Sequence, residues 1–95
     1  MKFDSLSLNV NEDDQQFELQ IDQHTALITY RVLDAHTLAL DHTEVPEELE
    51  GQGVASALVE KTFQYLDDNQ LKLVPNCSFV RTYLERHPDW KRLVA

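Results

Sequence analysis

The chain is poor in cysteine, glycine, proline and positive charge, and each shortage removes a class of answer. Its 95 residues include one cysteine, so an internal disulfide is excluded and a reducing compartment is the natural setting. With three prolines and two glycines it shows no linker, repeat or low-complexity segment. No apolar run approaches the about 18 residues that a membrane span needs. The opening Met-Lys-Phe-Asp-Ser turns acidic at its fourth residue and carries no apolar signal core, so a cytoplasmic location is expected. Eight lysines and arginines face 17 aspartates and glutamates, a net charge of −9. Such a surface repels nucleic-acid phosphates, so neither nucleic acid nor membrane is expected as a partner.

What remains is an ordinary globular composition, 42% hydrophobic and 26% charged. The length suits one domain over 1–95, which buries roughly two-thirds of its unfolded surface. A monomer or weak homodimer is the expected state. The charge is uneven: residues 1–50 hold 12 acids against 2 bases, and residues 51–95 hold 5 against 6. The acidic half either attracts a cationic substrate, such as an amine or a lysine, or simply keeps the chain soluble.

Residues 1–15 show no clean period, although Phe3, Leu6, Leu8 and Val10 offer apolar contacts. From Gln16 to Asp22, Phe17, Leu19 and Ile21 alternate with Glu18 and Gln20, the pattern of a half-buried strand. Ala26 to Leu33 is rich in β-branched and aromatic residues and predicts a second strand. Thr37 to Val45 predicts a third, with Leu38, Leu40, His42 and Glu44 on one face. Short turns join the three into an antiparallel meander. A helix follows from about Gly53 to Asn69, with a stripe of Val54, Ala55, Leu58, Val59, Phe63 and Leu66 and with Glu60 outside. Leu71 to Val74 is short and β-like. Ser78 is placed to cap a second helix bearing Phe79, Val80, Tyr83, Leu84 and His87, which Pro88 stops. Trp90 to Val94 forms a tail able to fold back on the sheet.

The fold class expected is therefore α+β: a meander, a β-α-β unit and a C-terminal helix. The strands flanking the long helix should be parallel with a right-handed crossover. Ligands of such units bind beyond the carboxyl ends of the strands, at the helix N-terminus. His42, Glu44 and Val45 should flank one crevice with Asn76, Cys77 and Ser78. Gly51 and Gly53, the only glycines, stand at that helix start, where a backbone geometry that a Cβ would obstruct is implied. Uncapped N–H groups and a positive dipole end make it an anion site. A Walker A loop is excluded, because Val54 and Ala55 follow Gly53 where Lys and Ser/Thr are needed. A dinucleotide fingerprint fits poorly, with Ser56 at its last small position and Leu73 and Val74 where an acid belongs.

Glu50-Gly-Gln-Gly-Val-Ala55 resembles the Arg/Gln-x-x-Gly-x-Gly/Ala signature of the GNAT superfamily, the acyl-CoA-dependent N-acetyltransferases. With His42-Thr-Glu-Val-Pro46, Pro75-Asn-Cys-Ser-Phe79 and His87-Pro88, the chain resembles the small single-domain GNAT-like group over roughly residues 16–90. The resemblance implies a minimal fold with a splayed sheet and acetyl-CoA as cofactor. Its pyrophosphate would lie on the backbone of Gly51, Gln52, Gly53, Val54, Ala55 and Ser56. The pantetheine arm would lie between the parallel strands near Glu44, Val45 and Asn76. Asn76 and Tyr83 match the spacing of a later Asn-x-x-Ala-x-x-x-Tyr pattern, with Phe79 replacing the small residue, and imply Tyr83 as general acid. Glu50 departs from the family's Arg or Gln, and an acid there opposes a pyrophosphate unless it points to solvent.

The chemistry-bearing residues are few. His42 and Glu44 are each candidate general bases for an amine, against the alternatives of a core histidine and a solvated strand-end charge. They are also two potential metal ligands without a third, so no metal site is expected. Cys77, beside a helix start that favours a thiolate, is either a covalent nucleophile or a small buried hydrophobe. Tyr83 is either an acid or part of the core. Trp90, with Lys91 and Arg92, either contacts the nucleotide end of the cofactor or covers the sheet edge. The function expected is acetyl transfer from acetyl-CoA to an amine acceptor, small or protein-borne. The alternative is a non-catalytic module that binds CoA or another protein on a vestigial acetyltransferase frame.

Overall fold

A computed structural model describes residues 3–95. Met1 and Lys2, the start of the stretch read for a leader, lie outside the described residues. Five strands form one sheet in chain order: β1 (Asn9–Asn11), β2 (Gln16–Ile21), β3 (His24–Asp34), β4 (Thr37–Glu44) and β5 (Lys72–Pro75). All neighbours are antiparallel except β4 and β5, which are parallel. Between them runs α1 (Val54–Asp68), the helix of the expected β-α-β unit. Helix α2 (Ser78–Arg86) and a 3₁₀ segment at Pro88–Leu93 complete the chain. A further 3₁₀ turn, Glu47–Leu49, leads into the glycine loop. No described helix is long and apolar enough to cross a membrane.

One face of the sheet is dry. Phe17, Leu19, Ala26, Ile28 and Leu40 are fully buried on it, under Leu58, Val59, Phe63 and Leu66 of α1. Each such side chain stabilises by about 1.5–3 kcal/mol relative to an exposed one. Phe63 joins the layers, with ring contacts to Tyr83 of α2 and to Trp90, each 5.7 Å between centroids. Cross-strand partners share a face, so the row Glu18, Leu27 and Glu44 belongs to the opposite side, and it stays half-buried or exposed.

The early apolar residues have a place: Phe3 enters the core, and Leu6, Leu8 and Val10 lie against it. Asn9–Asn11 forms an edge strand on β2 that residue patterning did not reveal, because three residues are too few to show a period. The tail folds back as expected. Val94 bridges Leu73 beside β5, the Ala95 amide donates to the Leu73 carbonyl, and Leu93 is buried.

Candidate functional site

The site begins with one extra residue. Thr29 pairs with His42, but the next pair is Tyr30 with Leu40, so Asp41 has no opposite number in β3. This β-bulge resets the alternation of side chains along β4. The sequence pattern placed Leu38, Leu40, His42 and Glu44 on one face, and the structure corrects this. Thr43, opposite Ile28, continues the helix-covered face of Leu40, while His42 and Glu44 are exposed on the other. Carboxylate and imidazole therefore lie on the opposite face of the sheet from the glycine-loop cavity, and neither lines it.

The bulge also ends the β4–β5 ladder. Its last pair is Leu40 with Pro75, and the Leu40 carbonyl then accepts two N–H bonds, from Asn76 and Cys77, each 3.0 Å. Side chains hold the parting open. The Asn76 amide donates to Asp41 Oδ1 at 2.9 Å, and Arg31 grips the same carboxylate with Nε at 2.5 Å and Nη2 at 3.1 Å. Arg31 first, and Asn76 second, keep the Asp41 carboxyl below its ordinary range. Beyond Asp41, β4 is paired with β3 alone, leaving its other edge for a ligand's hydrogen bonds.

Cys77 lies in this parting. It is buried and holds the N-cap position of α2, one residue earlier than the expected cap Ser78, and its side chain makes no capping bond. The thiol instead meets the Thr43 hydroxyl at 3.1 Å. Thr43 thus joins the site although sequence reading passed it over, since only the bulge turns it inward.

The glycine loop sits beside this pair. Gly51 and Gly53 have φ of 78° and 81°, values costly for a residue with a Cβ. A Cβ at either would meet nothing within 4 Å. The glycines thus supply the left-handed backbone geometry expected of them, and the space before them is open. Gly53 is the N-cap of α1, no side chain caps the helix, and no acid stands in its first turn. A cavity of about 240 Å³ is lined by Val45, Gly51, Gly53, Val54, Ala55 and Phe79. Leu49, Ser56 and Glu50 complete it, with the Glu50 side chain exposed. Uncapped N–H groups before open space suit a diphosphate, and the Val45 wall points toward the parted strands. These residues fit coenzyme A. Among the described residues no three His, Cys, Asp or Glu side chains converge to hold a metal ion.

Tyr83 stands apart from the Thr43–Cys77 pair. Its hydroxyl donates to Glu60, and the same carboxylate oxygen accepts the Trp90 indole N–H at 3.2 Å. Burial first, then Glu60, push the Tyr83 phenol well above its usual range. Glu60, expected on the outer face of α1, is half-buried beneath these two rings. Its place at the margin of the apolar stripe, four residues after Ser56 and three before Phe63, was the available signal. Together with Ser56, Arg86, His87, Pro88 and Asp89 they line a broader hollow of about 510 Å³. His87 stacks on Tyr83 at 4.2 Å. Lys91 and Arg92 turn away to Glu85 and Asp67, so of the three tail residues only Trp90 lines this hollow.

Comparison with known proteins agrees with this geometry. The profile of the family described as GCN5-related N-acetyl-transferase matches residues 16–93. The solution structure of a GCN5-like protein from Staphylococcus aureus superposes with a TM-score of 0.71 at 31% identity, covering 97% of this chain and 90% of that one. Protein NATD1 of Xenopus tropicalis is 27% identical over 88 residues, 88% of this chain and 81% of that protein. Protein NATD1 of Mus musculus is 26% identical over 85 residues, 85% and 77% of the two chains. With its splayed parallel strands, its glycine-started helix and a family match across most of its length, the chain belongs to the GCN5-related N-acetyltransferase family.

Proposed function

We propose that this protein is an acetyl-CoA-dependent N-acetyltransferase acting on an amine. The observation that carries the reading is the opening of β4 from β5 at Asp41, directly beside the uncapped, glycine-started helix α1. When bound, acetyl-CoA supplies the acetyl group as a reactive thioester. The backbone N–H groups of the Gly51–Ser56 loop hold the diphosphate, aided by the positive end of the helix. The free edge of β4 between Asp41 and Val45 holds the arm. Ser56 borders both hollows, so Trp90, Arg86 and His87 of the second would be the residues available to the nucleotide end.

On the far side of β4, Glu44 and His42 are exposed, and either would serve as the base that takes a proton from an incoming amine. Cys77, aligned by Thr43, is the only thiol of the chain and lies at the crevice itself. Its role divides two routes, direct attack by the amine or prior transfer to sulphur. A second reading, a CoA-binding module without turnover, draws support from Tyr83, whose hydroxyl is already committed to Glu60.

The deciding experiment measures release of free CoA from acetyl-CoA in the presence of pooled amines, with intact-mass analysis of the protein. Amine-dependent release supports the transferase. An added mass of one acetyl group that disappears in Cys77→Ala assigns the thiol a covalent part, and undiminished release in Cys77→Ala assigns direct attack. Tight binding with no release under any amine would select the module instead.

A further inference from the structure

Arg81, one turn into α2, folds its side chain back over the strand that precedes the helix. Its Nη1 donates to the Pro75 carbonyl at 3.0 Å and to the Asn76 carbonyl at 2.6 Å. Its backbone N–H donates to the Cys77 carbonyl at 3.1 Å, the first bond of the helix. One residue thus holds the successive carbonyls of the turn between β5 and α2. The N–H groups of the same turn are held from the other side, since those of Asn76 and Cys77 both donate to the Leu40 carbonyl of β4. The Pro75 carbonyl and the Asn76 N–H share one rigid peptide plane, and the Asn76 carbonyl and the Cys77 N–H share the next. Both planes leading to Cys77 are therefore pinned at each end, by β4 at one and by Arg81 at the other. The arginine has an ordinary alternative that it does not take. Glu85 stands four residues on, where helix side chains commonly pair. Lys91 meets that carboxylate instead, at 3.5 Å, and among the described residues Arg81 pairs with no acid. Ordering a long exposed side chain costs entropy, and here the bonds that offset it all go to the one turn.

We infer that Arg81 is a positioning residue: by pinning the peptide planes on either side of Asn76, it sets the buried Cys77 thiol against the Thr43 hydroxyl. Asn76 is held with it, and its side-chain amide in turn reaches the Asp41 carboxylate at the end of the β4–β5 ladder. Arg81 itself walls a different hollow, with Pro75, Leu84 and Val94, and does not line the glycine-loop cavity. It therefore acts on the crevice from outside, through the turn. Lysine would be a poorer holder, because its ammonium is a point charge on a flexible stem and lacks the rigid fork of a guanidinium. Any part of the thiol in acetyl transfer rests on the function proposed above; the pinning of the turn does not.

The test follows alkylation of Cys77 by iodoacetamide with intact-mass analysis, together with hydrogen exchange of the Asn76 and Cys77 amides, without denaturant or ligand. Arg81→Met keeps an apolar stem beside Pro75, Leu84 and Val94 but removes the donors. It should speed both alkylation and exchange roughly tenfold, the effect of one charged hydrogen bond on a local opening. Arg81→Lys should fall between Arg81→Met and the wild type, and it decides the matter alone if Arg81→Met fails to fold. Arg92→Met, which breaks a surface pair with Asp67 instead, should leave both rates unchanged. Amine-dependent release of CoA should fall in Arg81→Met and recover in part in Arg81→Lys. Unchanged alkylation and exchange in the Arg81 variants, or a rise that Arg92→Met reproduces, would overturn the inference. Faster alkylation and exchange in Arg81→Met, from a wild type that releases no CoA, would uphold the pinning and remove only the transferase reading.

Discussion

Glu50 lies on the rim of the cavity where a diphosphate is expected, in the place where the family signature has Arg or Gln. Its side chain is exposed, so its repulsion is damped by solvent but not removed. Glu50→Gln should tighten acetyl-CoA binding roughly threefold at low salt, a gain that calorimetry should see vanish at high salt. Gly53 shows how far composition speaks at this scale. Two glycines in 95 residues, both at one helix start, marked the loop, and their φ angles explain why. Gly53→Ala should cost about 1–2 kcal/mol in urea denaturation and weaken acetyl-CoA binding with it. Tyr83 was legible as a residue of interest but not in its partnership, because nothing in a helical stripe announces which glutamate a phenol will meet. Its phenol is held protonated in the fold, so its stabilising contribution is complete below about pH 10, the ordinary tyrosine value. That contribution is lost as pH rises further toward the raised folded value. Tyr30 is raised as well, chiefly by burial, so the test compares the wild type with Tyr83→Phe. The alkaline fall in melting temperature should be shallower in the variant, and an identical fall would contradict the raised phenol of Tyr83.

At the scale of elements, the helices and long strands could be read from period and punctuation, and the bulge could not. Leu38, Leu40, His42 and Glu44 alternate without a break, and nothing in that pattern betrays that Asp41 lacks a partner. The information lies in β3 and β5, whose residues Arg31 and Asn76 converge on the Asp41 carboxylate. The same long-range dependence hid Thr43, which faces Cys77 only because the alternation is reset. Asn76→Ala should therefore act through the parting rather than through the core. We expect a stability loss of about 0.5–1.5 kcal/mol and a larger proportional loss of acetyl-CoA affinity, read by urea denaturation and calorimetry. Asp41 gives this joint a pH dependence of opposite sign to that of Tyr83. Its carboxyl is held below the ordinary value, so its contribution is present above about pH 4 and disappears as pH falls through the lower folded value.

Across the whole molecule, two layers are closed by the chain's ends. Phe3 enters the core from one end, and the tail covers the β5 edge from the other through Leu93, Val94 and Ala95. Leu93 is only 2% exposed, and Leu93→Ala should cost about 2–5 kcal/mol, large for so small a core. The glycine loop and Cys77 lie on the helix side and Glu44 and His42 on the open side, with β4 between them. The most direct test of the proposed cofactor site is backbone amide NMR of the labelled protein titrated with acetyl-CoA. The largest shifts should fall on Gly51 to Ser56 and on Thr43 to Val45, with Asn76 and Cys77 following. Shifts confined to the hollow of Glu60, Tyr83 and Trp90, or no shifts at saturating ligand, would contradict the placement of the cofactor in the parting of β4 and β5.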